Sequence, residues 1–145
     1  MNRANLKSYL NSKINREELK RGYIKVNDKC MITNAYSIIF LNDSNGLEVV
    51  ADKYGLTNFK DSVEYDYNNG EFKSISELDN KIDFIPIQDG FEINMKEVKK
   101  ISGVIKCNEY ALRESKDYYN FYRFIIELRN TKSGEYAYLL PSKTY

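Results

Sequence analysis

The sequence predicts an α+β fold in which two helix-plus-antiparallel-strand units form one sheet, with both helices packed on one face. Three observations lead there. Two distant stretches carry apolar residues at helical spacing behind capping residues. Each is followed by alternating, β-prone segments broken at Asn, Asp and Gly turns. The order of elements also repeats: capped helix, short strand, turn, long strand, loop, strand, over about 3–51 and again over about 94–140. The match is one of element order and not of residues.

The first helix starts near Asn2 and places Leu6, Leu10 and Ile14 on one face. A second start follows, with Asn15 as cap, Glu18 in the capping-box position, Ile14 stapled against Leu19, and Gly22 as the stop. Tyr23 to Val26 reads as a strand, and Asn27-Asp28 as a turn. Cys30 to Leu41 reads as one long central strand, because its C-terminal half is apolar on both faces. Asn42 to Gly46 is a loop, and Leu47 to Ala51 a strand pairing back onto the long one.

The middle, 52–93, is acidic and irregular. It offers an exposed strand at Val63 to Tyr67, a turn at Asn68-Asn69-Gly70, and a single helical turn capped at Ser74 to Glu77. Lys81 to Ile87 is an edge strand, since Pro86 cannot donate to a ladder. The second helix has Asn94 as cap, Glu97 as capping-box partner, Ile93 stapled against Val98, and Met95, Val98, Ile101 and Ile105 as its apolar face. Glu109 to Arg113 follows, then a loop, then the long strand Tyr118 to Arg129. That strand turns at Asn130 to Gly134 into Glu135 to Leu140, forming a hairpin. With 145 residues the chain has the length of one domain, with sub-units about 1–51 and 94–145.

Composition narrows the function. No stretch approaches the roughly 20 apolar residues of a membrane span, and the N-terminal residues hold no apolar signal core. Cys30 and Cys107 are isolated, which fits a reducing cytoplasm. Abundant Lys, Asn, Ile and Tyr suit an AT-rich coding sequence and point to a low-GC bacterium or one of its viruses. The formal net charge of +1 conceals a segregation: residues 1–30 carry eight basic and three acidic side chains, 42–94 four and twelve, and 95–145 ten and six. Basic ends brought onto one face suit a phosphate backbone, whereas the acidic middle repels nucleic acid or imitates it.

One stretch carries a family resemblance. Tyr23 through Phe40 resembles the part of bacterial DNA sliding-clamp domains where a strand and turn lead into a threonine-acid-glycine-aromatic-arginine-leucine motif. Thr33, Tyr36 and Ile38 match in type. Asn34, Ala35 and Ser37 depart, standing where the family usually has an acid, a small residue (often glycine) and an arginine. The C-terminal Leu139-Leu140-Pro141-Ser142-Lys143 is similar to the apolar-apolar-proline-x-basic ending of those clamps. The likeness covers about a third of the chain. It implies a clamp-domain-like fold and a non-catalytic module in DNA metabolism, of viral or mobile-element type. It also implies self-association, since a ring of single-domain chains takes about six copies.

Catalytic chemistry finds little support. The chain has no histidine, hence neither the commonest general base nor the commonest zinc ligand. There is no phosphate-cradling glycine run and no nucleophile elbow. Carboxylates remain: Asp61, Glu64 and Asp66, with Glu71-Phe72-Lys73 downstream, are a pattern that holds Mg²⁺ in some nucleases. The expectation is nevertheless a non-enzyme without cofactor or metal. Its partner-binding candidates are Tyr118, Tyr119, Phe121 and Arg123, whose rings suit a partner surface or single-strand stacking, and Asp61, Glu64, Asp66 and Glu71. The expected partners are a protein, DNA or a second copy, and no membrane. The alternative to the clamp-like module is a small inhibitor or adaptor that presents its acidic stretch to a host nucleic-acid enzyme or defence protein.

Overall fold

The fold is that of a computed structural model describing residues 3–11, 21–60, 66–116 and 123–144. The elements are α1 (Arg3–Leu10), β1 (Gly22–Val26), β2 (Lys29–Thr33), β3 (Ser37–Leu41), α2 (Leu47–Tyr54), β4 (Thr57–Asn58) and β5 (Lys73–Ser74). After a 3-10 turn at Ile75–Glu77 come β6 (Phe84–Gln88), β7 (Phe91–Asn94), α3 (Met95–Ile105), β8 (Glu109–Glu114), β9 (Phe124–Arg129), β10 (Tyr136–Leu139) and β11 (Ser142–Lys143). The fold is α+β. Eight strands form one sheet in the order β4-β1-β2-β3-β10-β9-β8-β5, and β11-β7-β6 form a second.

The large sheet is two meanders joined at their last strands. β1, β2 and β3 pair antiparallel in sequence order, as do β8, β9 and β10. β3 then pairs with β10, Ile39 opposite Ala137. α1 precedes one meander and α3 the other. One core receives Leu6, Tyr9 and Leu10 from α1, Val98, Ile101 and Ile105 from α3, and Ile32, Ile39, Ile126 and Leu139 from the sheet. Both helices therefore lie on the same face, and α1 packs against α3. The four apolar residues of α3 read from spacing are all buried, each contributing about 1.5–3 kcal/mol relative to an exposed position.

Two expectations are corrected. Leu47 to Ala51 is helical. Its buried side chains are Leu47, Val50 and Ala51, while Val49 is 52% exposed, which is a helical and not an alternating pattern. Asn45 N–H donates to Asp43 Oδ1 ahead of the helix, and Gly55 closes it at φ 61° with its N–H on the Ala51 carbonyl. The adjacent β-branched Val49 and Val50 favoured the strand reading.

The long strand from Cys30 to Leu41 is two, β2 and β3, folded back on each other with Thr33 opposite Ile38. Asn34 Oδ1 accepts the N–H groups of Tyr36 and Ser37, and Thr33 Oγ1 accepts that of Ala35. Ala35 takes φ 77°. The side chains thus build a turn that strand propensity hides. Gly22 opens β1, where a Cβ would collide with the Phe59 ring and approach the Thr57 carbonyl on neighbouring β4. The second helix start, Asn15 to Leu19, lies outside the described residues.

The middle segment is more ordered than its composition suggests. It supplies β4 and β5, the two end strands of the large sheet, and both strands of the β6–β7 hairpin. Ser74 caps the 3-10 turn by accepting from Ser76 N–H. β6 is an edge strand, as Pro86 implied.

Candidate nucleic-acid interface

The sides of α1 and α3 turned from the core are basic. Lys7, Lys96, Lys99 and Lys106 are exposed and Lys100 is half-buried. The one acid in the two helices is Glu97, and it is buried at 8% exposure. Lys96 lies 3.4 Å from Asp83, and Lys100 3.2 Å from Glu97. The helical face so combines two packed helices with outward lysines and with its single carboxylate drawn inward. Such a surface attracts phosphates without reading bases.

A buried polar node fixes the two helices relative to the sheet. Asn34 is fully buried; its Nδ2 donates to the Tyr9 carbonyl at 3.1 Å and reaches Glu97 Oε2 at 3.5 Å. The Tyr9 hydroxyl lies 3.0 Å from both the carbonyl and the Oγ of Ser37. Burial raises the Tyr9 phenol far above its usual range. Glu97 therefore turns to Asn34 and Lys100, where the sequence suggested a capping-box partner; Asn94 does cap, accepting from Lys96 N–H at 3.0 Å. The node was missed from sequence. Its available signal was Glu97 itself, four residues before Ile101 and so on the flank of the apolar stripe.

The opposite face of the sheet is aromatic. Phe40 stacks on Tyr136 with centroids 4.5 Å apart, and Tyr138 meets Tyr67 edge-on at 5.4 Å. The segment around Tyr67 is strapped across β8 by Arg113, which donates to the carbonyls of Tyr67 and Asn68 and pairs with Glu127. The Arg129 guanidinium lies 3.4 Å from the Phe72 ring centroid.

Of the candidates read from sequence, Asp61, Glu64, Tyr118, Tyr119 and Phe121 lie outside the described residues. Arg123 is exposed, ion-paired with Glu114 at 2.8 Å and 5.7 Å from the Phe124 ring. Asp66 lies 3.5 Å from Lys116. Because Ser115 N–H donates to the Arg123 carbonyl and Lys116 N–H to that of Asp66, Asp66 and Arg123 are brought to the same end of β8. Glu71 stands apart, at a cleft of about 160 Å³ lined also by Lys73, Ile87, Gln88, Tyr110, Ala111 and Leu112.

Among the described residues no three His, Cys, Asp or Glu are grouped to hold a metal. Burial pushes both the Cys30 and Cys107 thiols up to about 12, so both are neutral and poorly nucleophilic near neutral pH. No described helix is long and apolar enough to cross a membrane. Compared with protein-family models, curated proteins and solved structures, the chain gives no match.

Proposed function

We propose that this chain is a non-catalytic, clamp-like binding module of DNA metabolism that lays its α1–α3 face along a phosphate backbone and self-associates to surround it. The observation carrying the reading is the pairing of two helix-plus-three-strand units through β3 and β10, which sets two helices side by side with lysines outward. The clamp-motif resemblance at Thr33, Tyr36 and Ile38 supports it from the sequence. The buried node adds support, because a surface used by position and not by base contacts needs rigid helices.

The test is the absolute mass in solution, by light scattering on a sizing column at low and high salt, followed by retention on circular against linear duplex DNA. A closed ring of copies held better on circular DNA supports the reading. A monomer or dimer at both salts removes encirclement.

A further inference from the structure

We propose that the free edge of β6, with Ile82 and Phe84, is a docking strip for an extended cationic peptide segment of a partner protein. This surface adjoins the α1–α3 face only at the Asp83–Lys96 pair, and the proposal stands whether or not that face holds DNA.

β6 ends the small sheet, with β7 on one side only. Met95 N–H donates to the Asp83 carbonyl at 2.7 Å, immediately before the Phe84–Asn94 pair. In an antiparallel ladder the hydrogen-bonding direction alternates, so the main-chain groups of Phe84 and Pro86 turn away from β7. Pro86 lacks the outward donor, which stops a continuous ladder and leaves the N–H and carbonyl of Phe84 as the pairing point. The side chains follow the same alternation. Ile85 and Ile87 pack against the core, while Phe84 is 46% and Ile82 50% exposed. Strand addition takes affinity from such main-chain pairing and specificity from side chains on alternate positions.

Charge names the occupant. Residues 66–94 hold seven acidic and two basic side chains, and Asp79, Asp83 and Asp89 beside the strip are exposed. Asp83 is engaged by Lys96, but the others present their charge to solvent. A phosphate backbone is repelled here. A second copy docking by two-fold symmetry sets this acidic edge against itself. A segment alternating apolar and basic residues meets both the apolar strip and the field around it. The far end of β6, at Ile87 and Gln88, also lines the cleft shared by Glu71 and Lys73.

The experiment is fluorescence anisotropy with a dye-labelled peptide of about ten alternating Lys and Val residues, and a Glu–Val counterpart, on the full chain. The variants are Ile82→Ser/Phe84→Ser, Phe84→Pro and Asp79→Asn/Asp89→Asn, each checked by thermal melting. The Lys–Val peptide is expected to saturate and the Glu–Val peptide not to bind. The serine pair and the proline variant each weaken binding about tenfold, and the asparagine pair flattens its salt dependence. Failure of the Lys–Val peptide to saturate overturns the proposal. So does unchanged binding by both the serine and proline variants, which reduces the effect to general attraction by acidic surface. A dimer of the protein alone that the serine pair dissolves gives the edge to a second copy, and also overturns it.

Discussion

Asn34 holds Tyr9 across the core, its side-chain amide donating to the helix carbonyl at 3.1 Å while its oxygen organises the β2–β3 turn. One fully buried side chain thus serves α1, the turn and, through Glu97, α3. Removing it strands several polar groups in the interior, so Asn34→Ala should lower stability by about 2–3 kcal/mol in urea denaturation. Asn34→Asp should be worse, because it cannot donate to Tyr9 and sets a second carboxylate beside Glu97. Accordingly Asn34→Asp/Glu97→Gln should recover much of the loss, and additive losses in that double variant refute the coupling.

Tyr9→Phe removes a hydroxyl 3.0 Å from the Ser37 carbonyl and leaves that carbonyl without this donor. A loss of about 1–2 kcal/mol at neutral pH is expected, read from the urea midpoint at constant slope. A loss below about 0.5 kcal/mol would mean that the node tolerates the gap.

Stability should fall in alkali. Burial holds the Cys30 and Cys107 thiols near 12, against an ordinary value of 9.0, and the Tyr138 phenol near 12 against 10.0. The unfolded chain therefore ionises first. The contribution of these groups is intact below pH 9 and is lost as the pH rises towards 12, at most about 1.4 kcal/mol per pH unit for each group. Melting temperatures at pH 8 and 11 should diverge, and by less in Cys107→Ala. Equal divergence in that variant removes Cys107 from the account.

The helix faces, the β8–β10 order and the Ser74 and Asn94 caps were legible because periodicity and capping are local signals. Leu47–Tyr54 was not, since two adjacent valines mimic a strand until burial separates Val49 from Val50. The β2–β3 turn was hidden because it is made by Thr33 and Asn34 side chains and by Ala35 at φ 77°, with no glycine to announce it. The pairing of two units into one sheet with both helices on one face followed from the repeated helix-plus-strands pattern, but the strand order did not, because Cys30 to Leu41 supplies two strands and Leu47 to Ala51 none; the end strands β4 and β5 are two residues each and have no period to read. The polar node joins residues 9, 34 and 97, a pairing across the core that no local pattern carries.

Arg113 and Glu127 form an ion pair whose side chains are only 16% and 11% exposed. Glu127→Ala leaves the guanidinium short of its counter-charge, and a loss of about 2–4 kcal/mol is expected, at the low end because the pair is not wholly buried. Arg113→Ala also releases the Tyr67 and Asn68 carbonyls. Amide exchange at 67–72 should then rise in Arg113→Ala more than in Glu127→Ala. Equal protection in the two variants means the arginine does not strap the segment.

The helical face makes the sharpest demand of the DNA reading. Lys7, Lys99 and Lys106 are exposed, so changing all three to Gln should leave the melting temperature unchanged within a few degrees. If each contacts a phosphate, the slope of log affinity against log salt falls by about 0.9 per lysine replaced. Lys29→Gln/Lys60→Gln/Lys132→Gln removes three exposed lysines that are off the helices and serves as the charge-matched comparison. A slope that drops in the helix variant and holds in the comparison assigns phosphate contact to α1 and α3. Equal drops mean that DNA senses only net charge, and a face that responds to nothing but net charge cannot orient a duplex.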